Sequence, residues 1–183
     1  MWKDLEQAFE RYTGRELQQA MASGTITALE LTMFFLDRIA RFNGQLRALI
    51  RVNPQATVDA EASDRQRAQG IVHSSLHGIP VVVKDNIETG FSLPTTGGAL
   101  ALEGYQPLRD SPVVERLRRA GAIVIGKSNL TEWANFISGP MPNGFSALGG
   151  QTKNPFGPGL DTGGSSSGSA SAVAAGLAAM AVG

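Results

Sequence analysis

Gly163-Gly164-Ser165-Ser166-Ser167-Gly168-Ser169, followed at once by the alanine-rich residues 170–175, is the stretch from which the fold is read. A flexible Gly/Ser linker would join two finished domains, whereas this run opens into good helix formers. It reads as a site loop feeding a helix. Residues 177–182 beyond it, Leu-Ala-Ala-Met-Ala-Val, have the pattern of a buried strand.

Upstream, Ile79-Pro80-Val81-Val82-Val83 is a short, β-branched apolar run that ends in Lys84-Asp85-Asn86. A buried strand delivering polar groups at its carboxyl edge has this form, and ligands of open α/β sheets bind at such edges. Ser111-Pro112 opens a helix through Ala120, Gly121 ends it, and residues 122–125 form the next strand. A helix leading into a strand predicts a parallel crossover. A second helix is predicted from Asn129 or Thr131, then a loop-rich span over 136–162.

Nearer the N-terminus, Thr27 and Glu30 form a capping box, with Ile26 and Leu31 placed for a hydrophobic staple. The predicted helix carries Leu31, Phe35, Ile39 and Phe42 on one face and stops at Gly44. A strand over 46–52 follows, and Asn53-Pro54 supplies a cap and first-turn proline for a solvated helix ending near Gly70. The expectation is an α/β chain: residues 1–70 mainly helical, residues 71–183 an α/β core carrying the lysine and Gly/Ser-loop motifs.

Composition is consistent with this. Of 183 residues, 42% are hydrophobic, enough for a substantial core, and 17% are charged, below the roughly 25% usual for a soluble domain. From Thr131 onward the only charged residues are Glu132, Lys153 and Asp161, so this third reads as buried. The formal net charge is zero, which gives no electrostatic case for nucleic acid or an anionic membrane. There is no cysteine, and His73 and His77 are the only histidines, so no metal site or cofactor is expected. The start, Met1-Trp2-Lys3-Asp4, lacks a signal-peptide core, and no apolar run reaches the ~18 residues of a membrane span, so the expected compartment is cytoplasmic.

Two familiar motifs fit in letters only. Gly121-Ala122-Ile123-Val124-Ile125-Gly126-Lys127-Ser128 matches a phosphate-binding loop, but its Ala-Ile-Val-Ile interior favours a strand over an anion cradle. Gly164-Ser165-Ser166-Ser167-Gly168 matches a hydrolase nucleophile elbow. That elbow needs a preceding strand and a later histidine, and the chain has neither. Some of these serines are expected simply to cap the helix.

Three blocks taken together are more specific. Residues 76–87 (Leu-His-Gly-Ile-Pro-Val-Val-Val-Lys-Asp-Asn-Ile), 121–129 (Gly-Ala-Ile-Val-Ile-Gly-Lys-Ser-Asn) and 163–170 (Gly-Gly-Ser-Ser-Ser-Gly-Ser-Ala) resemble the amidase signature family in order and spacing. Thr95-Thr96-Gly97 and Thr152-Lys153-Asn154-Pro155 fit as well, and the resemblance runs from about Arg15 onward. It implies an α/β/α sandwich around a mixed sheet, and amide hydrolysis through a Ser–cis-Ser–Lys triad and an acyl-enzyme.

By position, Lys84 matches the family lysine and Ser165 the bridging serine, with a cis peptide implied between Gly164 and Ser165. Asp85, Gly163, Gly164 and Ser166 are expected to support the site. The chemistry is sensible: a serine hydroxyl needs a base, and a lysine serves as one only when neutral. Full burial lowers a lysine pKa by as much as ~3–5 units, and Lys84 follows a buried strand.

The family's nucleophilic serine lies past the strand after the alanine-rich helix, with the oxyanion-hole amides just before it. That point falls beyond Gly183, so the expectation is an N-terminal portion, inactive alone, that either pairs with a complementary C-terminal chain or self-associates. Residues 133–136 (Trp-Ala-Asn-Phe) and 144–151 resemble amidases acting on peptide or amino-acid amides more than the A subunit of glutamyl-tRNA amidotransferase. The alternatives are that amidotransferase component and a non-catalytic binding module of the same fold.

Overall fold

The computed structural model describes residues 13–90, 93–137 and 139–183. Four strands form one mixed sheet in the order β1-β3-β2-β6, where β1 is Leu49–Val52, β2 Pro80–Lys84, β3 Ile123–Ser128 and β6 Met180–Val182. β2 runs parallel to both β3 and β6, while β1 is antiparallel to β3. This is the α/β fold with a mixed sheet that the sequence implied. Every residue of β2 and β3 is buried, as expected of central strands.

Five α-helices surround this sheet among the described residues: α1 Gly14–Ala22, α2 Ala28–Leu46, α3 Ala56–Ala68, α4 Pro112–Arg119 and α5 Ser167–Ala174, with a short 3-10 turn at Leu100–Leu102. α2 begins as read: Thr27 Oγ1 accepts from the Glu30 amide while the Glu30 carboxylate accepts from the Thr27 amide. The Asp64 carboxylate of α3 accepts from the next two free amides, Ala28 and Leu29, at 2.7 and 2.9 Å. Those bonds tie α3 to the start of α2 and use the donors a helix N-terminus leaves unpaired. One face of α2 then buries Leu31, Phe34, Phe35 and Ile39 in the core.

Several boundaries differ from expectation. Gly44 does not stop α2, which continues to Leu46 and ends where Arg47 turns left-handed at φ 50°. Asn43 fixes that turn, accepting from the Leu49 amide and donating to its carbonyl. α3 starts at Ala56 rather than at Pro54, because Asn53 spends its side chain on the Gln55 amide and on the Val124 carbonyl of β3. The capping box Thr13/Glu16 that opens α1 carried the same signal as Thr27/Glu30. At the other end, the apolar run 177–182 pairs with β2 only over Met180–Val182, and Leu177 and Ala178 are buried before it.

No helix starts at Asn129 or Thr131. A 3-10 turn at Glu132–Asn135 takes its place, with Trp133, Ala134 and Asn135 left-handed at φ 51°, 55° and 64°. The reason lies in competing hydrogen bonds: the Thr131 amide donates to Ser165 O, the Trp133 amide to Gly97 O, and Glu132 accepts from the Ala147 amide. The Trp133 bond takes the amide that an α-helix from Asn129 would pair with Asn129 O, and that carbonyl is itself held by the Gly168 amide. Between 136 and 162 lies a two-residue-per-strand hairpin, β4 Phe145–Ser146 against β5 Gly150–Gln151. No helix of the described residues is long and apolar enough to cross a membrane.

Candidate active site

β2 ends at Lys84, which is 6% exposed. Its Nζ donates to Ser165 Oγ at 2.8 Å and to Ser166 Oγ at 2.9 Å. Burial lowers the Lys84 pKa from its ordinary value, and no charged neighbour pulls it back. A neutral amine has two N–H donors and one lone pair, and two hydroxyls are what such a group can engage.

The serine loop reaches Lys84 because α5 lies unusually close to the sheet. A Cβ at Gly168 would sit 2.3 Å from the carbonyl oxygens of Ala48 and Asn129, so only glycine lets the first turn of α5 dock there. Its amide donates to Asn129 O at 3.1 Å. The bond between Gly164 and Ser165 is cis. Asp161 holds the approach to the loop, accepting from the Gly163 amide at 2.6 Å and from Asn143 at 3.1 Å. None of the serines caps α5 as expected: the N-cap Ser166 makes no side-chain cap bond, and Ser167 donates to Gly163 O.

Asp85 is fully buried but is not brought to the serines. Its carboxylate accepts from the Thr96 hydroxyl and amide, and its Oδ1 lies 3.4 Å from Lys127 Nζ. Gly163 and Gly164 are exposed, and Ser165 and Ser166 half-buried, so the pair opens to solvent on one side.

Polar residues absent from the expected site complete its frame. Ser128, level with Lys84 in the β2–β3 pairing, shares a 2.7 Å hydrogen bond with Ser169 of α5, which in turn donates to Val182 O. Asn129 donates to Arg47 O, Gly150 O and Thr152 Oγ1, and accepts from Ser146 Oγ, pinning the β4–β5 hairpin to β3. The signal for both was present: Ser128-Asn129 follow a buried strand just as Lys84-Asp85 do. No group of histidine and acidic side chains that could hold a metal occurs among the described residues.

The Amidase family model matches residues 30–183. The chain belongs to that family. Among solved amidase structures, the peptide amidase of Stenotrophomonas maltophilia superposes with a TM-score of 0.91 at 45% identity, over 93% of this chain and 35% of that one. An amidase family protein of Bacillus anthracis reaches 0.95 at 41% identity, over 100% of this chain and 37% of that one. The A subunit of the glutamyl-tRNA(Gln) amidotransferase of Thermobifida fusca is 40% identical over 174 residues, 94% of this chain and 34% of that protein. The chain thus spans about a third of the length of its amidase relatives.

Proposed function

We propose that the complete protein hydrolyses the C–N bond of amides, with Lys84 as general base and Ser165 as the bridging hydroxyl. In this reading Lys84 Nζ takes a proton from Ser165 Oγ as that oxygen takes one from a nucleophilic serine supplied from beyond Gly183. The nucleophile attacks the amide carbonyl, the proton returns to the leaving amine, and water releases the acyl group by the same relay. Ser166, the second acceptor on Lys84, holds the amine in line.

The observation that carries this reading is the 2.8 Å contact between a buried lysine without a carboxylate partner and Ser165. The place of Gly183 supports this reading: a Cβ there would lie 2.8 Å from Ser166 Cβ and 2.9 Å from its Oγ, so Gly183 lies against the serine loop. The exposed Val173, which lines one recess with Ser166, Ser169 and Gly183, supports a further segment covering this side of the loop. We assign peptide or amino-acid amides as substrates, on the likeness to the Stenotrophomonas peptide amidase. Likeness to the Thermobifida amidotransferase component favours a second reading, in which the protein acts in a complex.

Ammonia release from a C-terminally amidated dipeptide tests the first reading. The full-length protein is expected to turn it over, and the 183-residue chain alone to show only background. Hydrolysis by the 183-residue chain would overturn the placement of the nucleophile. Failure of the full-length protein on every simple amide, with co-purification of a second protein, would favour the complex.

A further inference from the structure

The site holds two buried lysines, and the sheet sends them in opposite directions. In the parallel pairing of β2 and β3, Val83 lies level with Lys127 and Lys84 with Ser128. Level residues share a face and successive residues alternate, so Lys84 and Ser128 face the serines of α5 while Lys127 faces away. Asp85, one residue past Lys84, returns to the Lys127 side, where the two charges meet at 3.4 Å.

The two amines differ in their partners. Lys127 Nζ donates to Ile87 O at 2.8 Å, Thr95 Oγ1 at 2.7 Å and Thr89 Oγ1 at 3.2 Å, the three donors of an ammonium. Lys84 has only two hydroxyls. Asp85 Oδ1 accepts no hydrogen bond, so the Lys127 ammonium is what faces it. Asp85, Lys127, Thr89 and Thr96 are all fully buried.

We propose that Lys127 is a positioning residue for the site: it confines the Asp85 carboxylate to the far face of the sheet, leaving Lys84 no countercharge to stabilise its ammonium form. The inference rests on Lys84 being the base. A buried carboxylate set free beside a lysine favours that lysine's charged form and spoils it as a base. The charged groups acting on Lys127 are Asp85, Arg51 of β1 and Glu88 of the segment after β2, whereas burial alone acts on Lys84. Burial drives Lys127 down to about 8 against the pull of Asp85, which leaves it mainly protonated at neutral pH.

The test is an NMR titration of 13Cε-labelled lysines in the full-length protein, with the Lys84 resonance assigned by its loss in Lys84→Arg. At roughly 8 Å and an effective dielectric near 20, an unpaired carboxylate shifts a lysine by about 1.5 pH units. Lys127→Met is therefore expected to raise the Lys84 midpoint by about 1.5 units, and Lys127→Met/Asp85→Asn to return it. An unmoved Lys84 midpoint in folded Lys127→Met overturns the proposal. If that variant does not fold, Asp85→Asn decides: Lys84 is expected to keep its midpoint while that of Lys127 falls, and a drop of a unit at Lys84 would make Asp85 its partner instead. The titration needs no turnover, so it fails separately from the hydrolase reading, which falls if Lys84→Ala retains activity.

Discussion

Gly168→Ala sets two well-understood effects against each other. Alanine is a better helix former than glycine by about 1 kcal/mol, and position 168 lies in the first turn of α5. Against this, the new Cβ would lie 2.3 Å from two backbone carbonyl oxygens and 2.5 Å from the Asn129 nitrogen, groups that cannot rotate away. Relief needs a retreat of α5 by about 1 Å, and overpacking of this kind costs about 1–3 kcal/mol. The same retreat stretches the bonds of Gly168 to Asn129 O, Thr131 to Ser165 O and Lys84 to Ser165, now 3.1, 3.0 and 2.8 Å, at about 1 kcal/mol each. The clash wins, and a net loss of about 3–5 kcal/mol is expected. The assay is equilibrium urea unfolding of the full-length protein, with Gly44→Ala as the paired control. A Cβ at Gly44 meets nothing within 4 Å inside α2, so that change is expected to stabilise by up to about 1 kcal/mol. Gly168→Ala that matches wild type, or gains stability like Gly44→Ala, would refute the account of how α5 docks.

Further outcomes follow from single contacts. The folded-state pKa of Lys127, about 8, lies below its unfolded 10.5, so the unfolded chain binds more protons between those values. Stability is therefore expected to rise with pH across that window by about 3 kcal/mol and to show no such contribution below it, a slope that Lys127→Met removes from a series of urea melts. Thr27→Ala, which loses a capping box, is expected to cost about 1 kcal/mol, while Ser111→Ala, whose side chain makes no cap bond, should cost less than half that by the same melts. Ser165→Ala is expected to lower ammonia release at least 100-fold, and Ser167→Ala, whose hydroxyl bonds Gly163 O rather than Lys84, less than tenfold in the same assay.

Local signals carried much of the architecture. The runs at Val81–Val83 and Ile123–Ile125 are too short and too β-branched for helices, and both are buried strands. Thr27 and Glu30 cap α2 because their reciprocal bonds need only neighbours three residues apart. The contact of Lys84 with Ser165 spans 81 residues, and the three motif blocks, not periodicity, pointed to it. Where the reading failed, long-range bonds decided. Glycine at 44 is a weak stop, and the real terminator is Arg47, turned by the side chain of Asn43. The helix expected from Asn129 or Thr131 gives way because the Trp133 amide goes to Gly97 O and the Asn129 carbonyl accepts from Gly168, partners distant in sequence. Asp85 looked like site support from its place beside Lys84, yet strand alternation turns it to Lys127, a pairing visible only once the β2–β3 register is known.

The claim on which the account turns is that Lys84 is the base of amide hydrolysis. The direct measurement is ammonia release from a C-terminally amidated dipeptide by full-length Lys84→Ala beside the wild-type protein, with folding of both checked by the same urea melt. Loss of a positioned general base lowers such rates by about 10²–10⁴-fold, and a fall of that size in a folded variant is predicted. Folded Lys84→Ala that keeps its rate within a few-fold of wild type would contradict the account.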